Sequence, residues 1–244
     1  MFEKISSARR RALDIGKNRS CLVIGPLGTY WRYRSTLVGG GGCQDEWDSA
    51  YLTAIGAKVK GLDLNSEYVA LARADGFEVE CGDAEDFDLG EQFDVIFALH
   101  VIEHLGSPLA LLRNCVRHLR PDGVLVLETP NPFSFPSLVK GAIRGYAHTE
   151  PTHTCWIDVK QIRELAQRAG LRVETVAFNT PIDRRRIRYM LTSCLYKLGA
   201  SLIPRMGSHT ICFCRLETNR EHNVSQVRST QEVRNVEATE ECNS

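Results

Sequence analysis

Two aspartates, Asp63 and Asp83, each stand just past a stretch that reads as a β-strand. Carboxylates at the carboxyl ends of parallel strands can accept hydrogen bonds from ribose hydroxyls or from an adenine amine. Upstream lie two groups of glycines, Gly25 with Gly28, and the run Gly39 to Gly42 that contains Gly41. Glycine backbone can approach a ligand more closely than any residue with a Cβ. Downstream, His104, His148 and His153 are side chains that can take a proton near neutrality. Acids, glycines and histidines in this order suggest a nucleotide-shaped site beside groups able to move a proton. The bland alternative for each histidine is a hydrogen-bonded side chain with no part in proton transfer.

The stretch from Val59 to Asp83 must position the two acids, and it reads as strand, helix, strand. Val59-Lys60-Gly61-Leu62 ends at Asp63, Asn65 can cap a helix carrying Tyr68, Val69, Leu71 and Ala72, and Gly76 stops it. Such a βαβ unit is right-handed. Two candidates exist for the strand before it. Leu37-Val38 leads into the Gly39 to Gly42 run at the usual spacing of one βαβ step, but it is a meagre strand. Cys21 to Ile24, ending at Gly25, is a better strand and follows a helix expected from Phe2 to Ile15, with Arg9, Arg10 and Arg11 on or beside its solvated side. The reading adopted is Cys21 to Gly25 as strand one, with Leu27 to Gln44 as an inserted loop that brings further glycine backbone to the ligand.

The later chain alternates regularly. Phe93 to Ala98 is a buried strand, Ser107 caps a helix with Pro108 at its first position, Arg120 to Gly123 is a turn, and Val124 to Glu128 is the next strand. A non-repeating region from Thr129 to His153 should cover the pocket. Asp158 and Gln161 form a capping box for a helix that stops at Gly170. Leu171 to Phe178 is a strand, Ile182 to Leu202 a helix led by Arg184, Arg185, Arg186 and Arg188, and His209 to Leu216 a final strand. Beyond it the chain is polar, and residues 217–244 are expected to be a disordered tail. The fold class expected is α/β, a doubly wound Rossmann-like sheet with a helical cap.

Composition narrows the partners. Thirty basic residues balance thirty acidic ones among 244, so no global field favours nucleic acid. The nine cysteines include no CxxC pair, and scattered thiols are read as reduced, with no metal site expected. No signal-peptide run precedes residue 16, so the expected location is the cytoplasm.

The blocks GLDLN with Asp63, GDAED with Asp83, FDVIFALHVIEHL and LRPDGVLVLETPNP, then a helix before AGLRV, resemble in order and spacing one family. It is the class I S-adenosylmethionine-dependent methyltransferases, and within it small-molecule enzymes similar to ubiquinone-biosynthesis O-methyltransferases. The resemblance covers about residues 21–216. It implies a seven-stranded sheet whose last strand is antiparallel, in a domain over residues 1–216 with cap insertions at about 130–156 and 182–207. It implies S-adenosylmethionine as cofactor, held by Gly25, Gly28, Gly41, Asp63, Leu64, Asp83, Ala84 and His100. Asp63 would bond the ribose, Asp83 with Ala84 the adenine, and His100 would border the methionine part. His104 and His153 are the candidate bases. The chain departs from the family at its first turn, where Val23 takes the place of an acid and Leu27 that of a second glycine. Activity on a small molecule, at oxygen, is expected. A lipid-like acceptor or peripheral contact with an anionic membrane would explain the apolar segment Phe133 to Tyr146, which carries Lys140 and Arg144, and an apolar lid over a soluble substrate would explain it as well. A binding module without transfer and a nicotinamide oxidoreductase are the competing readings, the latter lacking GxGxxG after strand one.

Overall fold

The computed structural model describes residues 7–25, 48–145, 152–179 and 203–217. Expectations for Gly28, Gly39 to Gly42, His148, the helix from Ile182 and the tail past 217 lie outside these residues.

Seven strands form one sheet: β1 (Ser20–Ile24), β2 (Lys58–Asp63), β3 (Val79–Cys81), β4 (Phe93–Leu99), β5 (Leu119–Pro130), β6 (Leu171–Asn179) and β7 (His209–Leu216). Their order is β3-β2-β1-β4-β5-β7-β6. β1 pairs in parallel with both β2 and β4, so the connections diverge on either side of it. β7 runs antiparallel to β5 and β6. The strand at Cys21 to Ile24 is therefore central.

Period-two alternation places Leu22 and Ile24 on one face of the sheet, and Cys21 and Val23 on the other. The first face packs on Leu111, Leu112 and Cys115 of α4 (Pro108–His118) and on Ile162 and Ala166 of α6 (Val159–Arg168). The second packs on Ala12 and Leu13 of α1 (Ser7–Leu13) and on Tyr51 and Leu52 of α2 (Asp48–Ala54). Helix α3 (Ser66–Ala74) joins β2 to β3 and buries Val69 and Ala72 against Val79. Cys212 and Cys214 share one face of β7 and are both fully buried.

Capping chemistry holds at two of the three sites named from sequence. Asn65 accepts from Tyr68 N–H at 3.0 Å, and Asp158 and Gln161 make the reciprocal capping box at 2.8 and 3.0 Å. Ser107 makes no side-chain cap, and Pro108 alone starts α4. The turn at Arg120 to Gly123 lies within β5, looped out where the pairing jumps from Phe93↔Leu119 to Val95↔Val124. Its exposed residues are anchored by Arg120 on Asp94 at 2.7 Å. The cap region contains α5 (Phe135–Arg144), started by Ser134 and ended by Gly145 at φ 75°. Phe135, Leu138, Val139 and Ile143 of this helix are exposed, Ile143 to 81%. Among the described residues, no helix is long and apolar enough to cross a membrane.

Because α6 lays Ile162 and Ala166 into the core, its cap contributes to global stability. Asp158→Ala should cost about 1 kcal/mol, read as a lower urea midpoint at unchanged slope.

Candidate active site

The carboxyl ends of β1, β2 and β4 meet at the point where the connections diverge, which is where open α/β sheets bind ligands. Gly25 ends β1 at φ +67°, and its N–H donates to the Leu62 carbonyl at 2.8 Å. A Cβ there would lie 2.7 Å from Val101 Cγ2, so the chain can pass only as glycine. At the end of β2, Asp63 Oδ1 accepts from Asn65 N–H at 3.0 Å. Leu64 beside it is 73% exposed, an apolar surface suited to a flat base. Past β3, Asp83 Oδ1 accepts from Glu85 N–H at 2.8 Å, and the Ala84 carbonyl accepts from Asn114 at 3.2 Å. Both acids are thus aimed by two-residue turns of their own backbone.

The carboxyl ends of β4 and β5 carry a buried polar cluster. His100 follows β4 with φ +60° and donates its N–H to the Glu128 carbonyl at 2.8 Å. His100 Nδ1 lies 3.2 Å from Glu103 Oε1, and Nε2 3.9 Å from Glu128 Oε1. Glu103, in the 3-10 turn Ile102–His104, also accepts from the Thr129 hydroxyl at 3.1 Å. Glu128 accepts from Asn179 at 3.3 Å and faces Arg9 at 3.5 Å. Arg9 grips Asp48 through two nitrogens, at 3.0 and 2.5 Å. The His209 ring stands edge-on to His100 with centroids 4.8 Å apart.

Burial works against the Arg9 charge, but Asp48 and then Glu128 overcome it and raise its pKa above the ordinary value. Burial likewise favours a protonated Glu103, yet the hydrogen bond with His100 holds it below the usual carboxylate range. For Glu128, burial is outweighed by Arg9, His100 and His209, with the same outcome. His209 is pushed down to about 4, by burial first and then by His100. Burial pushes the thiols of Cys21, Cys115 and Cys212 up to about 12, which suits packing groups rather than nucleophiles.

His104 and His153, the bases named from sequence, come together with ring centroids 4.8 Å apart. His104 is exposed, and its Nδ1 meets the Thr152 carbonyl at 3.1 Å. Glu103, His104 and His153 each bring a donor atom within 4.8 Å of the others. Glu103 already spends both oxygens on His100 and Thr129, so a cation would have to compete for them. Sequence reasoning missed Arg9, Glu103 as a partner of His100, Glu128, Asn179 and His209. Glu128 closes an apolar strand just as Asp63 does, and that signal could have found it. Arg9 was assigned to a solvated face, whereas it is largely covered, because its partners arrive from far along the chain.

Residues 41–176 match the family model described as a methyltransferase domain. A ubiquinone biosynthesis O-methyltransferase of Cereibacter sphaeroides is 30% identical over 170 residues, which is 65% of this chain and 66% of the relative. The chain therefore aligns with less than two thirds of that relative's length. A dTDP-4-amino-2,3,4,6-tetradeoxy-D-glucose N,N-dimethyltransferase of Saccharopolyspora spinosa is 38% identical over 96 residues, 36% of this chain and 37% of that one. A crystal structure of a SAM-dependent methyltransferase from Archaeoglobus fulgidus superposes with TM-score 0.57 at 19% identity, covering 86% of this chain and 92% of that one. The sheet is that of the class I, Rossmann-like methyltransferases. The chain belongs to the methyltransferase domain family, whose cofactor is S-adenosylmethionine.

Two outcomes test the buried cluster. Arg9→Ala strands Glu128 and Asp48, and with Arg9 partly exposed the cost should be about 2–3 kcal/mol; Glu128→Gln in the same chain should recover part of it. Unfolded His209 takes its proton near its ordinary value of 6.5, folded His209 only at about 4. Between these values the unfolded chain binds more protons, so stability falls as pH drops. From about pH 7 to about pH 5 the loss should be about 2 kcal/mol by urea titration, and His209→Asn should flatten it.

Proposed function

We propose that this chain transfers the methyl group of S-adenosylmethionine to a small-molecule acceptor, at oxygen. The observation that carries the reading is the placement of Asp63 and Asp83 past adjacent parallel strands, beside a β1 that can end only in glycine. Asp63 holds the ribose, Leu64 lies under the base, and Asp83 with Ala84 takes the adenine. The bound cofactor supplies a methyl already electrophilic on its sulfonium, so the protein's task is to bind, align and exclude water. Transfer to oxygen is supported by relatives named as O-methyltransferases, and an N,N-dimethyltransferase among the relatives keeps nitrogen as the alternative.

The exposed apolar side of α5 supports a lipid-like acceptor, or contact of a cytoplasmic enzyme with an anionic bilayer, because Arg144 closes the same helix. The second reading, a methyltransferase fold that binds without transfer, is favoured by one feature. Val23, where the family has an acid, is buried in the sheet and offers the cofactor nothing polar.

Calorimetric titration of the whole chain with S-adenosylhomocysteine should show one site, and Asp63→Ala should weaken it about tenfold or more, a loss of about 1.4 kcal/mol or greater. No binding to the wild type would sink the proposal. Incubation with methyl-labelled S-adenosylmethionine and a metabolite extract should yield a labelled product; binding without product would leave the second reading standing.

A further inference from the structure

His100 is held more elaborately than a residue that only borders a cofactor requires. Its left-handed backbone, at φ +60°, is strained for any side chain with a Cβ, and such strain persists only where the surroundings impose it. Here they do so from several elements. The Glu128 carbonyl takes its N–H, Glu103 takes Nδ1, and His209 on β7 packs on the ring. The side chain is nevertheless 31% exposed at the carboxyl end of β4, next to the proposed cofactor site. Among the described residues Nε2 has no hydrogen-bond partner, and Glu128 Oε1 at 3.9 Å is beyond hydrogen-bond reach.

The groups facing the ring are Glu103 on the 3-10 turn, Glu128 on β5 and His209 on β7, with Arg9 of α1 behind Glu128. An ionised Glu103 selects the tautomer with hydrogen on Nδ1 and leaves the lone pair on Nε2. Two carboxylates then stand ready to stabilise the imidazolium that forms when Nε2 takes a proton. Arg9 keeps the farther of them charged.

We propose that His100 Nε2 is the proton acceptor in methyl transfer, that Glu103 is its positioning residue, and that the acceptor is a hydroxyl compound. This rests on the methyltransferase reading above. As the hydroxyl oxygen forms its new bond to the methyl carbon, the carbon–sulfur bond breaks onto sulfur. The hydroxyl proton moves to Nε2 and is later released to solvent. His104 and His153, set edge-on to each other beside Glu103, take no part in this step.

The test begins with the 15N-labelled whole chain saturated with S-adenosylhomocysteine. Long-range 1H–15N correlation should show the neutral His100 ring with hydrogen on Nδ1 and a bare Nε2, and Glu103→Gln should lose that preference. His100→Asn suits the transfer assay because Asn tolerates the left-handed backbone and places an amide nitrogen where Nδ1 stood, with nothing at Nε2. With S-adenosylmethionine at a concentration that saturates the variant, it should incorporate label into the extract about 100-fold more slowly or worse. A tautomer with hydrogen on Nε2, an imidazolium that never gives up its proton across the stable pH range, or undiminished transfer by His100→Asn would overturn the proposal. Should the variant fail to fold, the wild-type tautomer still decides. Failure of the wild type to bind S-adenosylhomocysteine counts against the earlier reading instead.

Discussion

Glu103 and Glu128 keep their charges at 2% and 1% exposure, and the architecture of the carboxyl edge follows from that requirement. A carboxylate removed from water must be paired and hydrogen-bonded or it takes up a proton. Thr129 and Asn179 each supply a hydrogen bond, while Arg9 and His100 bring nitrogen to the carboxylates. Alternation along β5 sends Glu128 to the face covered by α1 and α2, and Thr129, with Glu103 bonded to it, to the face covered by α4 and α6. His100 straddles the edge between them.

The two halves of the edge are built on different principles. At the ends of β2 and β3, Asp63 and Asp83 are oriented by the N–H groups of Asn65 and Glu85, two residues along the same chain. A local turn suffices because both acids lie toward solvent and need little compensation. At the ends of β4 and β5 the acids are deep, so compensation is drawn from α1, α2, β6 and β7, more than one hundred positions apart in the case of Arg9 and Glu128. One half presents two carboxylates past adjacent parallel strands; the other orients a single imidazole.

This division explains which features could be read without coordinates. The strand–helix alternation, the Asn65 cap, the capping box at Asp158 and the acids past β2 and β3 all depend on residues within a few positions of each other. Periodicity and turn chemistry report such relations directly. Ser107 stands at the expected N-cap position, with Pro108 at the first helical position, but its side chain makes no capping bond. The Arg120 to Gly123 turn was recognised as a turn, but its place as a loop-out inside β5 depends on the register with β4. Arg9 looked like one of three arginines on a wet face, since nothing local distinguishes it from Arg10 or Arg11.

Sequence alone determined the α/β class, the order of the strands along the chain, the family resemblance and the placement of two acids past β2 and β3, because each is written in short-range pattern. It left two candidates for the first strand. The tertiary structure decided that β1 is the central strand ending at Gly25, where contact with Val101 excludes any Cβ. It also decided the pairing of His100 with Glu103 and Glu128, and of Arg9 with Asp48 and Glu128. These are long-range electrostatic relations, and whether a carboxylate is buried beside a cation or left in water is settled only when the sheet closes over it.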